Sequence, residues 1–319
     1  MRGLFWNGRW QLRHDLPLPE VPPGEALIRI RLAGICGTDL AIARGYLNFQ
    51  GIPGHEFVGD VVAPQDSAWH GRRVVGEING VCGTCPPCQR QEQSHCLRRT
   101  TLGIRGRQGV FADYCLLPLA NLHAVPEAIT DTMAVFVEPL AAAQEIVQQC
   151  HIRPTDRVMV VGDGRLGQLI ARVLRLTGCD LTVVGHHPDK LQPLAKMGMS
   201  TCLEASSAMG QGSADWVVEC TGRLAGWETA RRLVRPRGTI VLKSTLPEKA
   251  LLDTSAWVVD EITVRGSRCG PFPPALRLLA AGLIPVTDLV EEVHPLSDGV
   301  TAMERAGRHG ARKVLIRMD

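Results

Sequence analysis

The sequence predicts an α/β protein of two domains, one β-rich and one built on a doubly wound parallel sheet. Three observations carry that prediction. The chain has 319 residues, more than most single cores hold and well suited to two. Up to about residue 125 it reads as short strand candidates separated by Gly, Pro and Asp. Its middle then alternates short apolar runs with helical segments, the pattern that lays helices on both faces of a parallel sheet.

Each element follows from its local pattern. Ala26 to Leu32 alternates apolar and charged residues at period two, as a half-buried strand does. Glu56 to Val62 and Arg73 to Gly76 are further strand candidates. The pattern changes near Glu138: Pro139 to Gln149 reads as a helix with an apolar stripe of Leu140, Ala143, Ile146 and Val147. Arg157 to Val161 is a short apolar run, expected of a strand covered on both faces. Gln168 to Thr177 (helix), Leu181 to Gly185 (strand) and Lys190 to Met197 (helix) continue the alternation. Ala214 to Cys220, Gly238 to Leu242 and Ile262 to Gly266 supply later strands. After Pro271 come a helix from Pro274 to Ala281 and a final strand opening at Lys313. The expected domains are residues 1–138 with 271–319, and residues 139–270.

Composition excludes several classes. Hydrophobic residues make 45% and charged residues 21% of the chain, ordinary for a globular protein. A net charge of +3 implies no polyanionic partner, so no nucleic acid is expected. No run of about 18 apolar residues is present to span a bilayer, and the N-terminus has no long apolar core of a secretory leader. A cytoplasmic, reducing compartment is therefore expected, and the eleven cysteines should not form a disulfide framework.

Cys82, Cys85 and Cys88, followed by Cys96, have the spacing of a closed four-thiolate zinc cage. Gly83, Pro86 and Pro87 let the backbone curl around it. A closed cage leaves no position for a substrate, so this metal would hold a lobe at about residues 80–100 in place. Cys36 and His55-Glu56 form a second candidate set outside that cluster, so two metals with different jobs are expected.

Gly162-Asp163-Gly164-Arg165-Leu166-Gly167 follows a strand and opens a helix. In that setting the three glycines read as a dinucleotide loop: a tight turn, close approach to a pyrophosphate, and close helix–sheet packing. The helix N-terminus offers its free N–H groups to the phosphates. The end of the next strand should choose between the two nicotinamide dinucleotides. An acid there hydrogen-bonds the ribose 2′-hydroxyl and repels a 2′-phosphate. Here Gly185 stands in that position, followed by His186 and His187, with Lys190 close by. NADP(H) is therefore favoured over NAD(H); a solvated histidine loop that accepts either cofactor is the alternative.

With Gly34-Ile-Cys36-Gly-Thr38-Asp39, Gly54-His55-Glu56 and Glu138-Pro139-Leu140-Ala141, these motifs resemble the zinc-containing medium-chain dehydrogenase/reductase family, over essentially the whole chain. The resemblance implies a GroES-like catalytic domain and a Rossmann domain. It implies catalytic zinc ligands at Cys36 and His55 and a third at Glu138. Glu56 either binds the metal or sits just behind it. It gives Asp39 the role of orienting the ligand histidine, Thr38 that of touching the substrate oxygen and passing its proton on, and Arg312 a place near the pyrophosphate. A relay histidine that many relatives carry is replaced by Ala41, so the proton must leave another way.

The expected activity is hydride transfer between nicotinamide and a secondary alcohol, polyol or sugar-like hydroxyl, in a homodimer or homotetramer. A non-enzymatic zinc-ribbon or nucleotide-binding protein of this fold, and a carbonyl dismutase or reductase, are the alternatives.

Overall fold

The computed structural model describes residues 1–206, 210–245 and 253–319. The chain divides into two compact units: Met1–Glu138 with Pro271–Asp319, and Pro139–Gly270.

The first unit is organised on a seven-stranded sheet. Its central strand, Glu25–Gly34, pairs antiparallel with Glu56–Ala63, Tyr114–Pro118 and the final strand Lys313–Arg317. Arg29 and Arg31 face solvent while Ile28, Ile30 and Leu32 are buried, so the period-two reading holds through the middle of the strand. Arg73–Gly76 and Leu122–Ala124 extend one side, and Val290–Pro295 extends the other by pairing in parallel with the final strand. Elements outside the sequence expectation include the hairpin Gly3–Trp6/Trp10–Arg13, the strands Tyr114–Pro118, Leu122–Ala124 and Val290–Pro295, and the helices Gly37–Ile42 and Gly299–Ala306. The two hairpin strands are four residues each, too short for periodicity to be read.

The second unit is a six-stranded parallel sheet. Its order is Ser200–Leu203, Asp180–Gly185, Arg157–Val161, Ala214–Glu219, Val234–Leu242 and Thr263–Gly266. The direction of winding reverses between Arg157–Val161 and Ala214–Glu219, the switch point at which such sheets bind ligands beyond their carboxyl ends. Val158, Val160 and Val161 are almost fully buried because helices cover both faces. One core cluster joins Met159, Val161, Val184, Val217, Leu233 and Ile240. Each large aliphatic side chain buried there contributes about 1.5–3 kcal/mol. Among the described residues, no helix is long and apolar enough to cross a membrane.

Candidate active site

Strand register assembles the first group of side chains. Gly34 pairs with Glu56 on one side and Leu315 on the other. The turn carrying Cys36 leaves the central strand at that point, His55-Glu56 enters the neighbouring one, and Lys313 arrives on the opposite flank. The ligand atoms of Cys36, His55 and Glu56 lie within 4.8 Å of one another. Gly34 is required by this convergence: a Cβ there would stand 2.4 Å from Glu56 Oε2.

Asp39 ties the two ligand-bearing turns together. It sits in the first turn of the helix Gly37–Ile42 and has no exposed surface. Its Oδ2 accepts the Cys36 N–H at 2.8 Å and its Oδ1 accepts the Gly54 N–H at 3.2 Å. His55 Nδ1 lies 3.3 Å from the same Oδ1, so a metal at this site would be offered Nε2. Burial alone would lower the His55 pKa; the charges of Asp39 and Cys36 outweigh it and hold the imidazole well above its ordinary value. The Thr38 hydroxyl oxygen is 3.7 Å from the Cys36 thiol. One thiol, one imidazole and a carboxylate form a donor set that suits zinc.

Lys313 was not anticipated. Its side chain is 2% exposed, and Nζ donates to Glu56 Oε2 and, at 3.3 Å, to the Ile35 carbonyl. The available signal was a lysine opening an otherwise apolar strand, because a buried lysine requires a partner. Its neighbour Arg312 donates its backbone N–H to Glu291 at 2.6 Å. Glu138, the second residue of the helix Val137–Gln149, is half-buried and lies outside the three-residue group.

The four lobe cysteines also converge. Sγ separations are 3.5 Å for Cys85–Cys88 and Cys82–Cys96, and 3.8 Å for Cys85–Cys96. A tetrahedron with roughly 2.3 Å Zn–S bonds has edges of about 3.8 Å, so the cage fits that ion. Backbone N–H groups of Thr84 and Cys85 hold the Cys82 thiol down at about 5, while burial pushes Cys88 up to about 12. All eleven cysteines are free.

In the second unit the glycine loop has the expected build. Gly162 takes φ +126°, which favours glycine. A Cβ on Gly167 would lie 2.0 Å from the Gly162 carbonyl oxygen. The helix Arg165–Arg175 has Gly164 at its N-cap, and no side-chain cap hydrogen bond is made there. Gln168 Nε2 bonds the Lys190 carbonyl at 2.8 Å and ties this helix to the segment carrying the two histidines. His186 Nε2 lies 2.6 Å from Glu204. Asp163 accepts the N–H groups of His186 and His187 at 2.8 and 2.7 Å. Neither Asp163 nor Glu204 was foreseen, since both reach their partners across strand ends.

Comparisons agree with this geometry. The family model for the alcohol dehydrogenase GroES-like domain matches residues 22–127, and that for a zinc-binding dehydrogenase matches residues 166–281. The erythritol/L-threitol dehydrogenase of Mycolicibacterium smegmatis is 30% identical over 93% of this chain and 92% of its own. A zinc-binding dehydrogenase structure from Sinorhizobium meliloti with bound NADP superposes with a TM-score of 0.89 at 27% identity, covering 99% of this chain and 98% of that one. Alcohol dehydrogenase TADH from Thermus sp. ATN1 superposes with a TM-score of 0.88 at 28% identity over all of both chains. The chain belongs to the zinc-containing medium-chain dehydrogenase/reductase family. Within that class it is a zinc-dependent oxidoreductase that transfers hydride between an alcohol and a nicotinamide dinucleotide.

Proposed function

We propose that this enzyme interconverts a polyol, or a similar secondary alcohol, with its carbonyl, using two zinc ions per chain and NADP(H). The observation that carries the reading is the convergence of Cys36, His55 and Glu56 with Asp39 behind the imidazole. The polyol class is supported by the erythritol/L-threitol dehydrogenase relative.

When bound, zinc would supply Lewis acidity toward the substrate oxygen, and nicotinamide would supply the hydride acceptor. The chain's own residues provide the rest. Cys36, His55 and Glu138 serve as ligands. The Cys36 thiolate and the Glu138 carboxylate would neutralise a dication, whereas Glu56 is already paired with Lys313, which supports a place for it just behind the metal. Asp39 fixes the His55 ring through Nδ1. Thr38 would take the proton from the substrate hydroxyl and pass it on; Ala41 in the relay position offers no side chain to carry it further. The lobe cysteines hold a second, structural zinc.

The NADP(H) preference is supported by Gly185, which carries no carboxylate of its own at the strand end, and by Lys190 nearby; His186 and His187 there pair with Glu204 and Asp163. Arg165 and Leu166, at the start of their helix, border the pyrophosphate with the glycines. A homodimer or homotetramer is supported by the edge strand Thr263–Gly266, exposed along all four residues, and by Val258 and Val259 at 76% and 80% exposure. The free thiols support a reducing, cytoplasmic setting.

The deciding experiment is elemental analysis of metal-replete protein combined with a polyol panel assayed with each cofactor. Two zinc equivalents and NADP-dependent oxidation are expected. A single equivalent that survives Cys36→Ala unchanged would remove the catalytic ion from the scheme.

A further inference from the structure

Gly185 is a glycine for a reason its own backbone does not supply. A Cβ built there would stand 2.5 Å from Asp163 Oδ2, 2.8 Å from its Cγ and 2.6 Å from its Cβ. The Asp163 side chain is not a flexible end that could swing aside. It is 6% exposed, and its Oδ2 accepts the His186 and His187 N–H groups at 2.8 and 2.7 Å, with His187 Nδ1 at 3.0 Å. Burial opposes its charge, but these His187 and His186 contacts hold the carboxyl below the usual carboxylate range. In this fold the acid that reads the adenosine ribose issues from the strand end that Gly185 occupies. Asp163, reaching over from the glycine loop, fills the space from which such a side chain would start.

We propose that Asp163 is the specificity-determining residue for the 2′-position of the cofactor: it excludes a ribose-reading acid at position 185 and pins the His186–His187 turn in its place. The proposal rests on the cofactor reading above only for the direction of the preference. Its core is a mutual exclusion between a side chain at 163 and a side chain at 185. Because Asp163 takes both histidine amides and His187 Nδ1, a donor to a 2′-phosphate must come from another side chain, the Lys190 ammonium being the nearest in sequence. Its own charge faces three donors, so a phosphate approaching from solvent does not meet a bare carboxylate.

The test is a double-mutant cycle on the full-length protein, read by dissociation constants for NADPH and NADH from fluorescence titration and by melting temperature. Gly185→Asp alone is expected to lower the melting temperature and weaken both cofactors. Asp163→Gly with Gly185→Asp is expected to regain stability relative to Gly185→Asp and to shift the NADPH/NADH preference toward NADH by about tenfold or more, the scale of one lost charged contact. Asp163→Asn, nearly isosteric, keeps the fold under test if the double variant does not fold; because it removes a negative charge beside the 2′-position, it is expected to shift the same ratio toward NADPH by at least about fivefold. A merely structural aspartate would move the melting temperature and leave the ratio alone. An unchanged ratio in Asp163→Asn, or a Gly185→Asp protein as stable as the parent, overturns the proposal. If the parent itself prefers NADH, the NADP(H) reading falls, while the change of ratio and the non-additivity still judge Asp163.

Discussion

Lys313 and Glu56, 257 positions apart in the chain, form an ion pair in which the side chains are 2% and 1% exposed. The pair is closed off from solvent by the strands that carry it. Two charges taken out of water this completely are held by each other, and removing either leaves the other stranded.

Lys313→Met should therefore destabilise the protein by about 3–5 kcal/mol, the cost of an uncompensated buried charge. Combining it with Glu56→Gln should cost markedly less than the two single changes together. Urea unfolding of the four proteins measures this. Single costs that add to within about 0.5 kcal/mol would show that the two residues do not depend on each other.

The two cysteine sites should separate cleanly. Cys36→Ala should abolish turnover and remove one zinc equivalent, with the circular dichroism spectrum preserved. Cys82→Ser should remove the other equivalent and lower the melting temperature, because it opens a cage whose metal binding is coupled to folding. Metal content by mass spectrometry, read beside thermal melts, distinguishes them; retention of full activity by Cys36→Ala is incompatible with the assignment.

Asp39→Asn should weaken zinc binding at the His55 site by about 10–100-fold, the usual effect of losing a carboxylate partner of a ligand histidine. The lobe metal should be retained. Competition with a chromogenic chelator gives both affinities, and equal loss at both sites would point to general unfolding.

Gly167→Ala places a methyl group 2.0 Å from the Gly162 carbonyl oxygen. The loop and helix must part, at a cost of about 1–3 kcal/mol, and nicotinamide dinucleotide binding should weaken by at least about tenfold. Isothermal titration with NADPH checks the second effect, chemical denaturation the first.

Asp156 gives a pH dependence with a definite sign. It is 2% exposed and accepts the Arg153 N–H at 2.9 Å and the Trp216 indole N–H at 3.1 Å. Burial raises its pKa, but the Arg153 amide and guanidinium and Trp216 outweigh it, so the folded value lies below the usual carboxylate range. A depressed folded pKa contributes stability above the unfolded value, near pH 4, and loses it as pH falls through the folded value. Asp156→Asn should cost about 1–3 kcal/mol near neutral pH. Its deficit against the parent should shrink below about pH 4. A deficit independent of pH would mean that the charge of Asp156 contributes nothing.

Much of this site was legible in one dimension because its parts are local. The lobe cysteines span residues 82–96, and a short metal loop announces itself by spacing. The glycine loop likewise fits within residues 162–167, next to an apolar run of strand length. Cys36 and His55 were legible only jointly, through the motifs around each. Long-range partners left little trace. Glu204 meets His186 at 2.6 Å because two parallel strands end side by side, and nothing in the segment between them encodes that pairing. Lys313 shows the limit most sharply. Successive residues on a strand point to opposite faces, and only the register Gly34–Leu315 brings its side chain to Glu56.

By itself, the amino-acid sequence determined the fold class, the cluster of lobe cysteines, the glycine loop and the candidate ligands Cys36 and His55, since each is a pattern of residue types within one or two turns of chain. The tertiary structure alone decided what stands behind those groups: Lys313 on Glu56, one Asp39 carboxylate shared by two turns, and Asp163 filling the space beside Gly185. Those contacts depend on where strand ends meet after folding, and that is fixed by the packing of the whole sheet rather than by any segment of it.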